Sequence, residues 1–318
     1  MKRLLLAASI GLAAISGYAQ DYPSRAITIT VPNPPGGMNQ IHAQPLSDIL
    51  EKLTKQPAPI VNRSGGTGAV GTAYVANQPP DGYNILVTTP NLYLVIEKDK
   101  LYGIKSPFTL DQIALIALMS ADPLIMVVHP SMPVKTVKEL NALAKSKPNE
   151  IVFSSSGPYG ITHTPMAMYM DATGVKMRHL PTTGGGPAII QALGGHAQVT
   201  AGGPAAIYAH VNSGKLRAIA SWGLKPHPAL PKVPTFNSMG YAVEAYLWVG
   251  LFTTAGVPEP IFNKLRALVG KVANDAGFKK ALETVQIVPD YRDTPEFRKF
   301  FDADYKRMAA VIKKIGKL

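Results

Sequence analysis

The stretch AITITVPNPPGGMNQ, residues 26–40, decides the fold class of this chain. Its first half is a run of β-branched and apolar residues that predicts a strand at 26–32. Three prolines and two glycines follow before a helical pattern begins. Proline stiffens a turn, and glycine lets backbone N–H groups approach a partner closely. A stiff loop between the carboxyl end of a strand and a helix predicts either a binding loop or a tight connection without a ligand.

The same order of strand, turn and helix recurs along the chain. Further apolar strands are predicted, with helical patterns between most of them, at 58–62, 83–88, 124–129, 150–154, 177–180, 197–200, 216–221 and 247–253. This alternation predicts an α/β fold with parallel-rich sheets covered on both faces, in which ligands bind at the carboxyl ends of the strands. The helix after residue 40 is expected to start late or to kink at Pro45, with residues 36–43 in a loop, because proline removes a helical N–H.

The amino-terminal residues have the pattern of a secretory signal peptide. Lys2 and Arg3 precede an apolar run over 4–15, and small residues stand before a cleavage site after Ala19. The apolar run is too short to span a bilayer. We therefore expect a signal peptide at 1–19 and a periplasmic mature protein.

Composition and charge exclude several classes of function. The chain has no cysteine, which rules out disulfides, thiol nucleophiles and Cys-ligated zinc. Cleavage after Ala19 would lower the formal net charge from +12 to +10, because 1–19 carry two basic and no acidic residues. The basic residues are dispersed without a run of five, which argues against nucleic acid and leaves steering of small anions or a solvated basic surface.

Two motifs suggest chemistry that the rest of the sequence does not support. Residues 66–71 form a GxGxxG, the motif of a dinucleotide-binding site. Such a site also needs an acidic residue about 20 positions later to bind the ribose, and residues 82–96 contain no Asp or Glu. Ser154 to Gly157 with His163 suggest a hydrolase, but the GxSxG elbow is absent. The seven histidines show no metal-binding spacing. We expect no catalytic residue, no metal and no cofactor.

Gly-rich or hydroxyl-rich turns that open helices are the recurrent feature of the sequence. They follow predicted strands at 33–39, 63–68, 88–91, 154–160 and 181–187. Helix N-termini carry free N–H groups and partial positive charge, each contributing about 0.3 to 1 kcal/mol toward a nearby anion. Several such ends could hold a carboxylate without a dedicated arginine.

The same residues resemble the Bug family, the TctC-like periplasmic solute-binding proteins of tripartite tricarboxylate transporters. The resemblance covers nearly the whole mature chain and rests on an ordered set of motifs: Tyr22-Pro23-Ser24, Pro34-Pro35-Gly36-Gly37, Asn62-Arg63, Pro80-Asp81-Gly82-Tyr83, Gly214-Lys215-Leu216-Arg217-Ala218 and Val233-Pro234-Thr235. It implies a type II, two-lobed Venus-flytrap protein, each lobe a mostly parallel sheet flanked by helices. Such a protein is a monomer that binds a small organic anion, delivers it to membrane permease subunits and catalyses nothing.

The resemblance also implies lobe boundaries and a ligand site. Lobe one would comprise 20–123 and 247–318, and lobe two 124–246. The ligand would lie in the cleft between the lobes. It would contact Asn33, Gly36, Gly37, Met38, Asn39, Gln40, Thr89 and Asn91 from lobe one, and Ser154, Ser156, Gly157, His163, Thr182, Thr183 and Gly203 from lobe two.

Departures from the family pattern bear on the ligand. Gln40 stands where the family commonly has Asp, Thr182 and Thr183 replace a bulkier pair, and a common Asp is replaced within Gly202-Gly203. These changes exchange charged and bulky lining for small neutral groups. We expect an amino-free organic acid such as a dicarboxylate or an aromatic acid. A neutral amide or heteroaromatic ligand is equally compatible, and the same protein could present its ligand to a membrane kinase as a sensor subunit.

Overall fold

A computed structural model describes residues 22–318 and shows two α/β lobes, each built around one sheet. The predicted signal peptide and its cleavage at Ala19 lie outside the described residues. The first sheet contains β1 (Thr28–Val31), β2 (Ile60–Asn62), β3 (Asn84–Thr88), β4 (Ile113–Pro123), β10 (Tyr246–Thr254) and β11 (Pro289–Asp293). The second contains β5 (Ile125–Val128), β6 (Val152–Ser155), β7 (Arg178–Pro181), β8 (Val199–Gly202) and β9 (Arg217–Ser221).

Ten α-helices lie within residues 22–318 and flank the two sheets. They are α1 (Met38–Thr54), α2 (Ala69–Ala76), α3 (Asn91–Tyr102), α4 (Val137–Ser146), α5 (Thr164–Thr173), α6 (Gly185–Leu193), α7 (Pro204–Asn212), α8 (Glu259–Asn274), α9 (Ala276–Thr284) and α10 (Thr294–Ile315). None of these described helices is long and apolar enough to cross a membrane.

The strand order places the N-termini of the helices that follow the parallel strands at one edge of each sheet. The first sheet has the order β11-β4-β10-β3-β1-β2, in which β1 pairs in parallel with β2 and β3. The second has the order β7-β6-β8-β5-β9, in which β6 pairs in parallel with β7 and β8. Each of these six parallel strands is followed by a helix. The predicted two-lobed α/β class is confirmed.

The cores explain why the strands are almost continuously apolar. Along β10, Trp248 and Phe252 pack on the face covered by α3 and α10, while Val249 and Leu251 pack toward α1, α8 and α9. Successive side chains of a strand point to opposite faces, so a sheet covered on both faces needs apolar residues at both.

Two strands were missed by the sequence pattern. The 11-residue β4, IALIALMSADP, is itself largely apolar and is separated from β5 by Leu124 alone. The edge strand β11, PDYRD, is half-buried throughout and has no apolar alternation. Its pairing with β4 is decided by tertiary contact rather than by its own composition.

The expectation that residues 36–43 form a loop is wrong, because α1 begins at Met38 and contains Pro45 in its interior. Burial of Ala43, Leu46 and Leu50 on this helix outweighs the cost of the missing N–H. The chain therefore enters the helix immediately after Gly37.

The two sheets are joined where the chain changes lobes. Leu124 is the single residue between β4 and β5, and the return passes from Trp222 to Ala245. Trp222 N donates to Leu124 O at 2.9 Å, Leu124 N to Ala245 O at 3.2 Å, and Ala245 N to Trp222 O at 3.2 Å. We keep the lobe boundaries 20–123, 124–246 and 247–318 as a proposal that fits this crossing.

Candidate functional site

Six helix N-termini lie at the carboxyl edges of the parallel strands. They belong to α1, α2 and α3 in the first lobe and to α5, α6 and α7 in the second. None of the six has a side chain that caps its N-terminus, and none has an acidic residue in its first turn. The N–H groups at these ends therefore have no side-chain acceptor.

The loop between β1 and α1 is held by amide side chains. Asn39 Nδ2 donates to Asn33 Oδ1 at 2.6 Å. Asn62 Nδ2 donates to Asn33 O at 2.9 Å and to Gln40 Oε1 at 3.1 Å. Asn39 is 2% exposed, and its Oδ1 has no hydrogen-bond partner among the described residues. The loop is thus fixed in shape while one buried acceptor stays unsatisfied.

His42 anchors the first turn of α1 to the sheet. Its Nδ1 donates to Met38 O at 2.9 Å, since a carbonyl can only accept, and its Nε2 accepts from Ser120 Oγ at 2.8 Å. Burial lowers the pKa of His42 to about 4, so the imidazole is neutral. Gly36 and Gly37, which precede this turn, are exposed.

The remaining predicted residues of the first lobe lie at the start of α3. Thr89 is buried, and Asn91 is half-buried. Asn91 Oδ1 accepts from Ile161 N of the second lobe at 3.1 Å. In this arrangement the Asn91 side chain joins the two lobes.

Three predicted site residues, Ser154, Ser156 and Gly157, lie in residues 154–160 at the end of β6, which we call the β6 loop. The structure gives them different surroundings. The Ser154 hydroxyl is fully buried and donates to Ala188 O at 2.7 Å, so it is engaged inside the lobe and its expected ligand contact is not supported. Ser156 Oγ accepts from Thr162 Oγ1 at 3.0 Å and has no described acceptor for its own hydrogen. Gly157 N donates to Ser155 Oγ at 3.2 Å. Ser156 is therefore the hydroxyl of this loop that is available to a ligand.

His163 lies in a stack of rings behind this loop. Its Nδ1 accepts from Tyr159 N at 3.0 Å, and its ring stacks on His179 with centroids 4.2 Å apart. Burial, and second the neighbouring His179, lower the pKa of His163 to about 3, while burial lowers that of His179 to about 4. Ser155 Oγ, at 2.6 Å from His179 Nε2, is fully buried. No described serine hydrogen-bonds to His163, so the Ser–His pair that the sequence suggested for this loop is not formed.

His163 also borders a crevice of 410 Å³ between α5 and α10, which is lined by Met168, Met170, Val311 and Ile315 among others. The ring is 3% exposed. This position sets it back from the cleft surface on which the sequence placed it. Its contact with a ligand stays a prediction.

The last three predicted residues follow β7 and β8. Thr182 Oγ1 lies 2.8 Å from both Ser155 O and Gly184 O, so its hydroxyl braces the turn before α6. Thr183 is exposed. Gly203 is buried, and a Cβ there would lie 2.8 Å from Leu247 Cδ2 of the first lobe. An aspartate at 203 would require Leu247 to move.

Gly71, the last glycine of the GxGxxG motif, serves packing. A Cβ on Gly71 would lie 2.7 Å from Pro32 Cα and 2.8 Å from Arg63 O. Glycine is required because α2 packs directly on the chain that leaves β1. This contact accounts for Gly71 without a nucleotide, and Gly66 and Gly68 have φ of 55° and 96°, in the left-handed region that favours glycine.

Sequence reasoning missed the polar residues that shape the β6 loop from within and from across the cleft. Thr162 Oγ1 accepts from Ser156 N at 2.7 Å. Tyr102 OH lies 3.0 Å from Tyr159 OH on the opposite lobe. Neither tyrosine stands in a recognisable motif, and their 57-residue separation hides the contact from any local pattern.

Comparison with known proteins finds relatives along nearly the whole chain. Protein BugT of Bordetella pertussis (strain Tohama I) is 27% identical over 311 residues, which are 97% of this chain and 94% of BugT. A TctC solute-binding protein from Polaromonas is 29% identical with a TM-score of 0.74, covering 92% of this chain and 99% of that one. R. palustris Rpa4515, solved with adipate, shares the fold at 23% identity and a TM-score of 0.83, covering 92% of this chain and 97% of that one.

The family model of the tripartite tricarboxylate transporter family receptor, TctC, matches residues 43–317. The match covers ten of the eleven described strands, all but β1, and both crossings between the sheets. Receptors of this family bind solutes and are not enzymes. The chain belongs to the TctC family of tripartite tricarboxylate transporter receptors.

Proposed function

We propose that this protein is exported to the periplasm, captures a small carboxylate in the cleft between its lobes and delivers it to a tripartite tricarboxylate-type membrane permease. The observation that carries the proposal is the set of six uncapped helix N-termini at the strand edges, none with an acidic residue in its first turn. Such ends attract anions through free N–H groups and the helix dipole.

The predicted site contains no charged side chain. Its members are glycines, amides, hydroxyls, Met38 and a histidine that burial keeps neutral. Each helix end contributes about 0.3 to 1 kcal/mol toward an anion, so several acting together replace an arginine. An acid at Gln40 would oppose such an anion directly.

A second candidate ligand is a neutral amide or heteroaromatic compound. The observation that favours it is the buried Asn39 Oδ1, which has no donor among residues 22–318. An unsatisfied buried acceptor costs about 1 to 3 kcal/mol, and a ligand N–H would remove that cost. The two candidates differ in whether charge contributes to binding.

A thermal-shift panel separates them, because binding to the folded state raises the melting temperature. The panel pairs adipate and aromatic carboxylates with their amides and with amino-bearing analogues. If the helix ends hold the ligand, acids should be preferred over amides by about 1 to 3 kcal/mol. Amides that stabilise the protein more than the matching acids would replace the carboxylate proposal with the second candidate.

Gln40→Asp tests the position of the charge. It should weaken the stabilisation by acids, because it adds like charge to the first turn of α1. Gln44→Asp is the matched control, since Gln44 is exposed on the same helix and bonds to Asp48. Equal loss of binding in both variants would indicate a general charge effect rather than a contact in the cleft.

A further inference from the structure

The last residues of the chain form a polar contact with both lobes. This C-terminal segment, Gly316–Leu318, follows α10. Tyr159 OH of the second lobe donates to Gly316 O at 2.8 Å. Leu318 N lies 2.9 Å from Tyr159 OH and 3.1 Å from Tyr102 OH, which belongs to the last residue of α3 in the first lobe. The two phenol oxygens are 3.0 Å apart.

The contact extends directly into the β6 loop. Tyr159 is 3% exposed and has φ 58°, a left-handed conformation that is uncommon for a residue other than glycine. Its N–H donates to His163 Nδ1, and two residues later Ile161 N donates to Asn91 of the first lobe. A strained backbone of this kind persists only where the surroundings hold it. The described surroundings that hold the Tyr159 side chain include the C-terminal segment and Tyr102.

A second contact joins the C-terminal helix α10 of the first lobe to α5 of the second lobe. Lys314 Nζ lies 2.6 Å from Asp171 Oδ2 on α5 of the second lobe. Both side chains are largely exposed, at 68% and 49%, so this ion pair contributes little by itself. The tyrosine pair contributes more than this ion pair to the free energy that holds the lobes together, because Tyr159 is buried.

We propose that Tyr102, Tyr159 and the C-terminal segment form an interlobe clasp that positions the β6 loop against the first lobe and opposes opening of the cleft. The proposal deepens the proposed function, on which it rests for its role in retaining a ligand. The clasp itself is a property of the two lobes. It is therefore testable without a ligand.

The absence of cysteine allows two labels to be placed cleanly. Lys52→Cys on α1 and Lys145→Cys on α4 are exposed sites, one in each lobe. Spin labels at both report the distribution of interlobe distances by pulsed electron paramagnetic resonance. Tyr102→Phe, Tyr159→Phe and the double variant are compared in this background. The control is Tyr291→Phe, because Tyr291 lies on β11 and its hydroxyl has no hydrogen bond among the described residues.

Each clasp variant should lower the ratio of closed to open forms about fivefold, the effect of one hydrogen bond, with a shift to longer distances. Tyr291→Phe should leave the distribution unchanged. The proposal is overturned if the double variant matches the control, or if the parent protein has no population at the shorter distance. These measurements use no carboxylate, so a failure of the ligand panel leaves their outcome intact. Conversely, a carboxylate that binds equally to all variants would support the proposed function and contradict the clasp's role in retention.

Discussion

The helices at the cleft edge and the helices away from it begin in different ways. Away from the cleft, Thr136 caps α4 in a capping box with Glu139, Asp275 caps α9, and Asp293 caps α10. There α8 begins with Glu259 in its first turn. At the cleft edge, none of the six described N-termini has either feature.

A side-chain cap stabilises a helix by about 1 kcal/mol, so omitting it six times has a cost in folding. A capping oxygen would also occupy the N–H groups that an anion needs, and a carboxylate cap would repel the anion. The difference teaches that one side of this molecule closes its helix N-termini with side chains, whereas the described helices of the other side begin without a side-chain cap or an acid.

The largest effect is expected from pH, because the two sides contain different titrating groups. Burial holds the pKa of His42 near 4 and that of His163 near 3, below the ordinary value of 6.5. As the pH falls below about 6.5 the unfolded chain takes up protons first, so the fold loses up to about 1.4 kcal/mol per pH unit for each of these two imidazoles. The hydrogen bond from Arg266 lowers the pKa of Asp293, whose contribution is lost only below about 3.8.

Urea unfolding, measured from about pH 7 to below about pH 3.8, checks the pH range of the imidazoles and that of the carboxylates. The unfolding free energy should decline between about pH 6.5 and pH 4 and then decline again as the carboxylates protonate. His179→Gln should make the first decline shallower, because burial also lowers the pKa of His179. A flat profile down to about pH 4.5 would show that the buried imidazoles do not distinguish the two sides.

Removing the buried carboxylate of Asp304 should damage the fold more than it affects carboxylate binding. Asp304 on α10 is 2% exposed and accepts from Trp248 Nε1 at 2.7 Å, from Tyr93 OH and from Arg307. Asp304→Ala leaves these donors without their acceptor and should reduce the unfolding free energy by about 3 to 5 kcal/mol. Asp302→Ala is the control on the same helix, with an exposed pair to Arg298. The comparison is weakened if Asp304→Ala abolishes carboxylate binding while the protein stays folded.

Adding a cap at the cleft edge should preserve the stability of the fold and weaken carboxylate binding. Gly184 is the N-cap of α6, and a Cβ there meets nothing closer than Pro187 Cδ at 3.8 Å. Gly184→Asp should hold or raise the melting temperature and weaken carboxylate binding by about 1 to 3 kcal/mol. Gly184→Ser provides the cap without the charge and should weaken binding less. Unchanged affinity in both variants would remove α6 from the site.

The smallest effect is expected from removing a cap on the other side. Asp275 Oδ1 accepts from Gly277 N at 2.7 Å and from Phe278 N at 3.3 Å at the start of α9. Asp275→Ala should cost about 1 kcal/mol of stability with no change in carboxylate affinity. Urea unfolding and calorimetry measure the two quantities separately. A change in affinity larger than the change in stability would contradict the separation.

Much of the fold was predictable because most strands depend on apolar patterns within a few consecutive residues. Apolar runs located nine of the eleven strands described within residues 22–318. The strand β11 was not predictable, because its residues are polar and its place depends on β4. Pro45 misled the prediction of α1, because local propensity is a weak term beside burial.

The candidate site was predictable as a set of loops and less so as a set of atoms. The turns after the parallel strands were identified from their glycines and hydroxyls, and the structure places them at the strand edges. Ser154 shows the limit, since its hydroxyl bonds to Ala188 O, 34 residues away. No local signal tells which hydroxyl of three adjacent serines points inward.

The sequence by itself determined the α/β class, nine of the eleven described strands, the turns that follow the parallel strands and the absence of acids in those turns. These properties depend on residue type and on spacing within a single turn or strand. Only the tertiary structure decided that Tyr102 and Tyr159 meet beside the C-terminal segment, that Gly203 lies against Leu247, and that His163 stacks on His179. Contacts of this kind join residues distant in sequence, and their energies depend on burial and direction, which exist only once the two lobes are packed.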